Sequence, residues 1–236
     1  SCGNEHLCPQ IAYIGLLGEH GGFATYSVVP KENVFSVNDT SLMSFIEPIL
    51  VGIHAGRNVQ HMLPASKVLV MGAGGVGVTL AAVFRDYFQT DITLTDILPN
   101  RLERCAEVGF KTLEKEFLEQ EYDIVIDCAG SDPVSQRSAI FEAFDYVYSG
   151  GTVLNLGTYF HSLSFVPAGL TVPEKQLRTS FAYNSKDEKI LPDVLKSLKL
   201  DFSLLIEEVD FDRIIEEAYF RSEVDKDSFT RLVVKP

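Results

Sequence analysis

Apolar and polar positions follow two rhythms along this chain. From Lys67, "KVLVM" is a short unbroken apolar run of β-branched character; a glycine cluster follows, and then "VTLAAVFRDYF" carries apolar residues at helical spacing. The pattern predicts strand, turn and helix. "DITLTD" (91–96) predicts a second strand. "LPNRLERCAEVGF" then opens with a proline suited to a first helical turn and closes at Gly109, a helix stop. "YDIVIDCAG" (122–130) reads as a third, buried strand, Pro133 to Phe144 as a helix, and "GGTVLNLG" (150–157) as a fourth strand with glycines at both ends. Beyond Lys175 come a strand in "LRTSFAYN", a helix over about Asp187–Leu198, "LLIEEV", a helix near Phe211–Phe220 and a closing strand in "FTRLVVKP". Strands that alternate with helices predict a doubly wound parallel α/β sheet. The first 40 residues differ: "GGFATYSVVPKENVFSV" alternates and is rich in Gly and Val, as in a β-rich domain, with a change of composition near Glu47–Gly52.

Composition narrows the class. The 236 residues are 46% hydrophobic and 22% charged, with no low-complexity tract and no apolar run of the ~20 residues a membrane-spanning helix needs. The N-terminus carries no secretory pattern, so a soluble, cytoplasmic protein without a membrane partner is expected. Thirty-three acidic against 20 basic residues give a net charge of −13, spread over predicted surface helices. This argues against nucleic acid as a partner, because phosphate binding needs clustered Lys and Arg. Four scattered cysteines, at 2, 8, 105 and 128, read as reduced thiols or metal ligands rather than disulfides.

The candidate chemistry centres on Gly72-Ala73-Gly74-Gly75-Val76-Gly77, a match to G-x-G-x-x-G. The first glycine permits the tight turn, the second lets the backbone approach a pyrophosphate, and the third lets helix pack on sheet. The pyrophosphate would rest on the helix N-terminus, whose free N–H groups and dipole favour an anion. Alone such a match is weak. Here it follows a strand, opens a helix, and precedes a second strand ending in Asp96, nineteen residues after Gly77. That is close to the ~20-residue offset of an acid that binds ribose hydroxyls. A carboxylate there repels a 2′-phosphate and favours NAD over NADP, with Arg101 as a counter-indication. A glycine-rich turn with a capping aspartate is the bland alternative. A methyltransferase is the sharp one, but it calls for an acid just before the glycines, where Val70-Met71 stand.

The stretch 45–78, "FIEPILVGIHAGRNVQHMLPASKVLVMGAGGVGV", resembles the zinc-dependent medium-chain dehydrogenases, and among them the sorbitol, polyol and polyol-phosphate branch, through Glu47, Pro48, Val51, Gly52, Ile53, His54 and Ala55. "GGFATY", "GGTVLNLG" and "RLVVKP" match further landmarks of that family. The resemblance implies an NAD-binding Rossmann domain over 51–184, with 1–50 and 185–236 as parts of a discontinuous GroES-like catalytic domain. It also implies hydride transfer between NAD and a secondary alcohol (a polyol, a sugar alcohol or its phosphate) and homodimers or homotetramers joined by edge strands near "HSLSFVP" (161–167). Cofactor contacts are implied at Ile97 and Arg101 after the second strand. Others are implied at the backbone of Cys128-Ala129-Gly130, touching the adenosine side, at Leu156 and Gly157, and at Phe181 and Ala182.

For zinc, the resemblance makes Glu47 the carboxylate beside a catalytic metal and Cys8, in "SCGNEHLC", the last of four structural-zinc cysteines, with Cys2 at a non-ligand position. The sequence thus reads as lacking the first part of the catalytic domain, through truncation, a missing segment or gene decay. Glu47 is alternatively a helix-start carboxylate. His54 reads as a packed core histidine, and His6, His20, His61 and His161 show no metal-site spacing. Cys105 and Cys128 read as ordinary buried thiols. Phe181-Ala182-Tyr183 stands where sorbitol dehydrogenases have Phe-Arg-Tyr, which argues against a free polyol, and the link from Gly109 to Tyr122 leaves little room for an extra helix and strand. Two further readings stay open: a non-catalytic NAD-binding protein, and a zinc-free quinone reductase.

Overall fold

The computed structural model describes residues 3–16, 21–34, 36, 40–63, 66–130, 138–160, 162–225 and 227–235. Cys2, His20, His161 and the expected helix start at Pro133 lie outside them. In chain order the elements are α1 (Ile46–Val59), β1 (Lys67–Met71), α2 (Gly75–Asp86), β2 (Asp91–Thr95), α3 (Pro99–Glu107), β3 (Lys111–Thr112) and β4 (Tyr122–Asp127). They continue with α4 (Ala139–Tyr146), β5 (Val147–Asn155), α5 (Ala168–Thr171), β6 (Gln176–Thr179), α6 (Ser185–Ser197), β7 (Ile206–Asp210), α7 (Phe220–Val224) and β8 (Arg231–Lys235).

Strands β1 to β6 form one parallel sheet in the order β3-β2-β1-β4-β5-β6. The order reverses between β1 and β4, the switch point at which doubly wound sheets bind ligands. The apolar runs are unbroken because both faces are covered. Val68 and Val70 of β1 join the core formed with α1, α2 and α6, whereas Leu69 and Met71 join the core on the α4 face. Gly109 ends the third helical segment with φ 85°, as its position in the sequence predicts.

Three expectations are corrected. The link from Gly109 to Tyr122 does hold an edge strand, but one of two residues, followed by a single 3-10 turn rather than an α-helix. Residues 162–166, expected to carry an edge strand, have none; the sheet ends at β6. The alternating segment near the N-terminus forms only a bend and one 3-10 turn among its described residues. Its apolar side chains find no partner strand, and Tyr26 and Val28 stand more than 90% exposed.

One core crosses both expected domain limits. The 50/51 limit falls inside α1, whose Ile49 and Ile53 are fully buried, and Leu191 and Val194 of α6 pack into the same cluster. β7 and β8 form a separate two-stranded parallel sheet, joined by a helical crossover that includes a π-helical stretch over Ile214–Tyr219.

Candidate functional site: the carboxyl end of the parallel sheet

The glycine turn leaves β1 at Gly72, whose φ of 102° is open to glycine and strained for other residues. A Cβ there would also press within 2.9 Å of the Ala129 nitrogen. Helix α2 starts three residues later, capped by Gly74, and packs so close that a Cβ on Gly77 would collide with the Gly72 carbonyl oxygen. The N–H groups of the first turn of α2 therefore face the switch point, the geometry of an anion site.

Asp96 ties this turn to the end of β2. One carboxylate oxygen accepts the Ala73 N–H at 2.6 Å and the other accepts the Leu98 N–H at 2.9 Å. Arg101 brings its guanidinium 3.7 Å from the same carboxylate, and it would lie 3.5 Å from a Cβ on Gly74. The acid and its counter-charge thus both lie against the glycine turn. Beside them a cavity of about 500 Å³ is lined by Asp96, Ile97, Pro99, Leu102, Lys115 and Tyr146.

The other expected contacts leave the same sheet edge. The Cys128 N–H donates to the Met71 carbonyl at 2.9 Å, so the Cys128-Ala129-Gly130 turn sits directly against the glycine turn. Leu156 and Gly157 follow β5. Phe181 and Ala182 follow β6, with Ala182 at φ 50° and Phe181 largely exposed. Burial pushes the Cys128 thiol well up, next to the charge of Asp127, and takes the Cys105 thiol up to about 12, in keeping with unreactive cysteines.

Glu47 occupies the first turn of α1. Its surface is open, yet enough protein surrounds the carboxyl for desolvation to raise its pKa, against the pull of the Arg231 guanidinium. Arg231 opens β8, lies over the Phe45 ring at 5.6 Å and reaches the start of α2, where a Cβ on Gly75 would meet it at 3.5 Å. Burial lowers the pKa of Arg231 and raises that of Tyr183, whose phenol also feels Glu47. A second cavity, of about 580 Å³, is bounded by Gly75, Val76, Ile214, Tyr219, Thr230 and Arg231. Arg231, beside the start of α2, and Tyr183, whose phenol feels Glu47, are candidates that the sequence reading passed over. The usable signal for Arg231 was a lone cation at the head of an apolar strand.

The zinc expectation finds less support in the side chains. Among the described residues no three His, Cys, Asp or Glu side chains converge as metal donors, and Cys8 is exposed, its backbone N–H closing a 3-10 turn on the Glu5 carbonyl. Structural zinc is held by four donors, so neither Cys8 nor Glu47 has a donor set among these residues. His54 is a packed core histidine, as read: its Nδ1 lies 2.8 Å from Asp187, a fully buried carboxylate that also accepts from Arg57 and from the Asn184 N–H. The His6 ring packs edge-on against His54.

A parallel sheet in this strand order, with a glycine turn at its switch point and an acid ending β2, defines a Rossmann-type dinucleotide-binding fold. No family model matches the chain. It is 25% identical over 223 residues to D-xylulose reductase A of Aspergillus oryzae and 26% identical over 227 residues to sorbitol dehydrogenase 2 of Saccharomyces cerevisiae; each match covers 86% of this chain and 61% of the relative. The chain thus spans about three-fifths of the length of the curated relatives it matches. Among solved structures, an Escherichia coli alcohol dehydrogenase complexed with NADH superimposes with a TM-score of 0.83 at 21% identity, over 98% of this chain and 70% of that one. For 2R,3R-butanediol dehydrogenase of Bacillus subtilis the TM-score is 0.82 at 19% identity, over 99% and 70%. The fold is that of the alcohol dehydrogenases, and the resemblance to the polyol dehydrogenase branch is borne out. Among the described residues no helix is long and apolar enough to cross a membrane.

Proposed function

We propose that this chain forms the NAD-binding part of an oxidoreductase that passes hydride between NAD and a secondary alcohol, a polyol, sugar alcohol or its phosphate. The observation that carries the reading is the convergence on one switch point of the glycine turn, the N-terminus of α2, Asp96 and Arg231. In this reading the pyrophosphate rests on the N–H groups of α2 with Arg231 as counter-charge, a charge-assisted contact stronger than a neutral hydrogen bond. Asp96 accepts from the ribose hydroxyls. Gly72, Gly74, Gly75, Val76 and Gly77 shape the phosphate turn, and Ile97 and Arg101 border the adenosine. The turns at Cys128, Ala129 and Gly130, at Leu156 and Gly157, and at Phe181 and Ala182 line the rest of the cofactor's path. NAD supplies the hydride acceptor; the chain's part is to bind, orient and screen it from water.

The relatives' names point to a polyol-type alcohol. In this reading a catalytic zinc would lie beside Glu47 and a structural zinc at Cys8, and the described residues give neither metal a full donor set. The same proposal divides the chain at 50/51 and 184/185 into cofactor-binding and substrate-binding parts. It also makes the protein a cytoplasmic homodimer or homotetramer that pairs through the exposed edge of β6. The test is metal analysis together with a screen for NAD-dependent oxidation of sorbitol, xylitol, butanediol and sugar-alcohol phosphates. Saturable NAD binding with turnover of one of these supports the reading. NAD binding without metal or turnover replaces it with a non-catalytic nucleotide-binding protein.

A further inference from the structure

The turns after β4 and β5 are held together by one buried carboxylate. Asp127, the last residue of β4, has no exposed surface. One of its oxygens accepts the Ala129 N–H at 2.9 Å and the Gly130 N–H at 3.1 Å, and the other accepts the Tyr159 hydroxyl. Its main-chain carbonyl accepts the N–H groups of Leu156 and Gly157 at 2.9 and 3.0 Å. The Tyr159 oxygen in turn accepts the Ile140 N–H at 3.0 Å, which brings in the start of α4. The two turns touch backbone to backbone: a Cβ on Gly157 would fall 2.7 Å from the Gly130 nitrogen and 3.0 Å from the Asp127 carboxylate. The glycine turn abuts the same place through Gly72 and Ala129. A buried carboxylate is costly unless hydrogen bonds satisfy its oxygens, and the bonds that satisfy Asp127 also fix the two turns relative to one another.

We propose that Asp127 and Tyr159 are positioning residues that set the distance between the β4 and β5 turns, and with it the fit of the half of the dinucleotide lying beyond the pyrophosphate from Asp96, which assigns the Cys128-Ala129-Gly130 turn to that half rather than to the adenosine side implied by the resemblance. The inference rests on the NAD-binding reading above. In a doubly wound sheet the half built on β1 to β3, which contains Asp96, takes one mononucleotide and the half built on β4 to β6 takes the other. Loosening the Asp127–Tyr159 tie therefore weakens NAD while leaving AMP, which fills only the first half, unaffected.

The test titrates NADH, followed by its own fluorescence, and AMP, followed calorimetrically, into wild type, Tyr159→Phe and Asp127→Asn. Melting curves establish that the variants are folded. Tyr159→Phe keeps the ring and removes only the hydroxyl, so it reports even where Asp127→Asn fails to fold. The expected result is a five- to twenty-fold loss of NADH affinity with AMP affinity within two-fold of wild type, a split that general destabilisation does not produce. Equal weakening of both ligands, or no change in either, overturns the inference. A wild-type chain that binds no NADH overturns the cofactor reading and this inference with it.

Discussion

The close packing of α2 on the glycine turn gives the sharpest quantitative expectation. In Gly77→Ala the added methyl meets the Gly72 carbonyl oxygen far inside van der Waals contact, and the obstacle is backbone rather than a movable side chain. The start of α2 must swing away from β1, and overpacking of this kind costs about 1–3 kcal/mol. In a chain of this length each kcal/mol is worth roughly 2–4 °C, so the melting temperature falls by about 2–12 °C. The same shift draws the α2 N–H groups off the pyrophosphate. Loss of one charge-assisted hydrogen bond, about 1.5–3 kcal/mol, weakens NADH by about 10- to 100-fold. The assay pairs thermal unfolding by circular dichroism with NADH fluorescence titration. Gly169→Ala serves as the control: its added Cβ has nothing within 4 Å, and alanine favours helix. A Gly77→Ala chain that melts like wild type and binds NADH within two-fold would refute the reasoning.

Two further expectations follow from the charged groups. Arg231→Ala removes the guanidinium at the α2 N-terminus and should weaken NADH by about 10- to 100-fold, the loss of one hydrogen bond to a charged group, with AMP affected less, as titration of both ligands would show. Asp187 is held below its usual carboxylate range because, although burial works against its charge, bonds from His54, the Asn184 N–H and Arg57 outweigh it. Its folded pKa thus lies under the unfolded one, so it contributes stability above about pH 4 that is lost as pH falls through the folded value. Asp187→Ala should cost about 3–5 kcal/mol in urea unfolding at neutral pH and flatten this acid limb.

The central α/β architecture was legible because its signals are local. Strand β1 is an apolar run ended by glycine, α2 is helical in period, and Asp96 stands at a fixed offset from the turn. The misreadings and omissions have a different physical origin. Strand β3 spans two residues, too few to show a period. The alternation near the N-terminus records a strand's preference, but a strand needs a neighbour, and among the described residues none pairs with it. Arg231 comes to the start of α2, and Tyr159 to Asp127, only through the tertiary path of the chain. Cys8 and Glu47 entered by resemblance alone; the Glu47 carboxyl feels the charge of Arg231, and Cys8 lies at the surface.

The central claim is that the switch point holds NAD. The direct measurement is calorimetric titration of the purified chain with NADH and with NADPH. With Asp96 facing the ribose, the account predicts saturable one-to-one binding of NADH and, through repulsion of a 2′-phosphate, at least about ten-fold weaker NADPH. Absence of saturable binding by either nucleotide would contradict it.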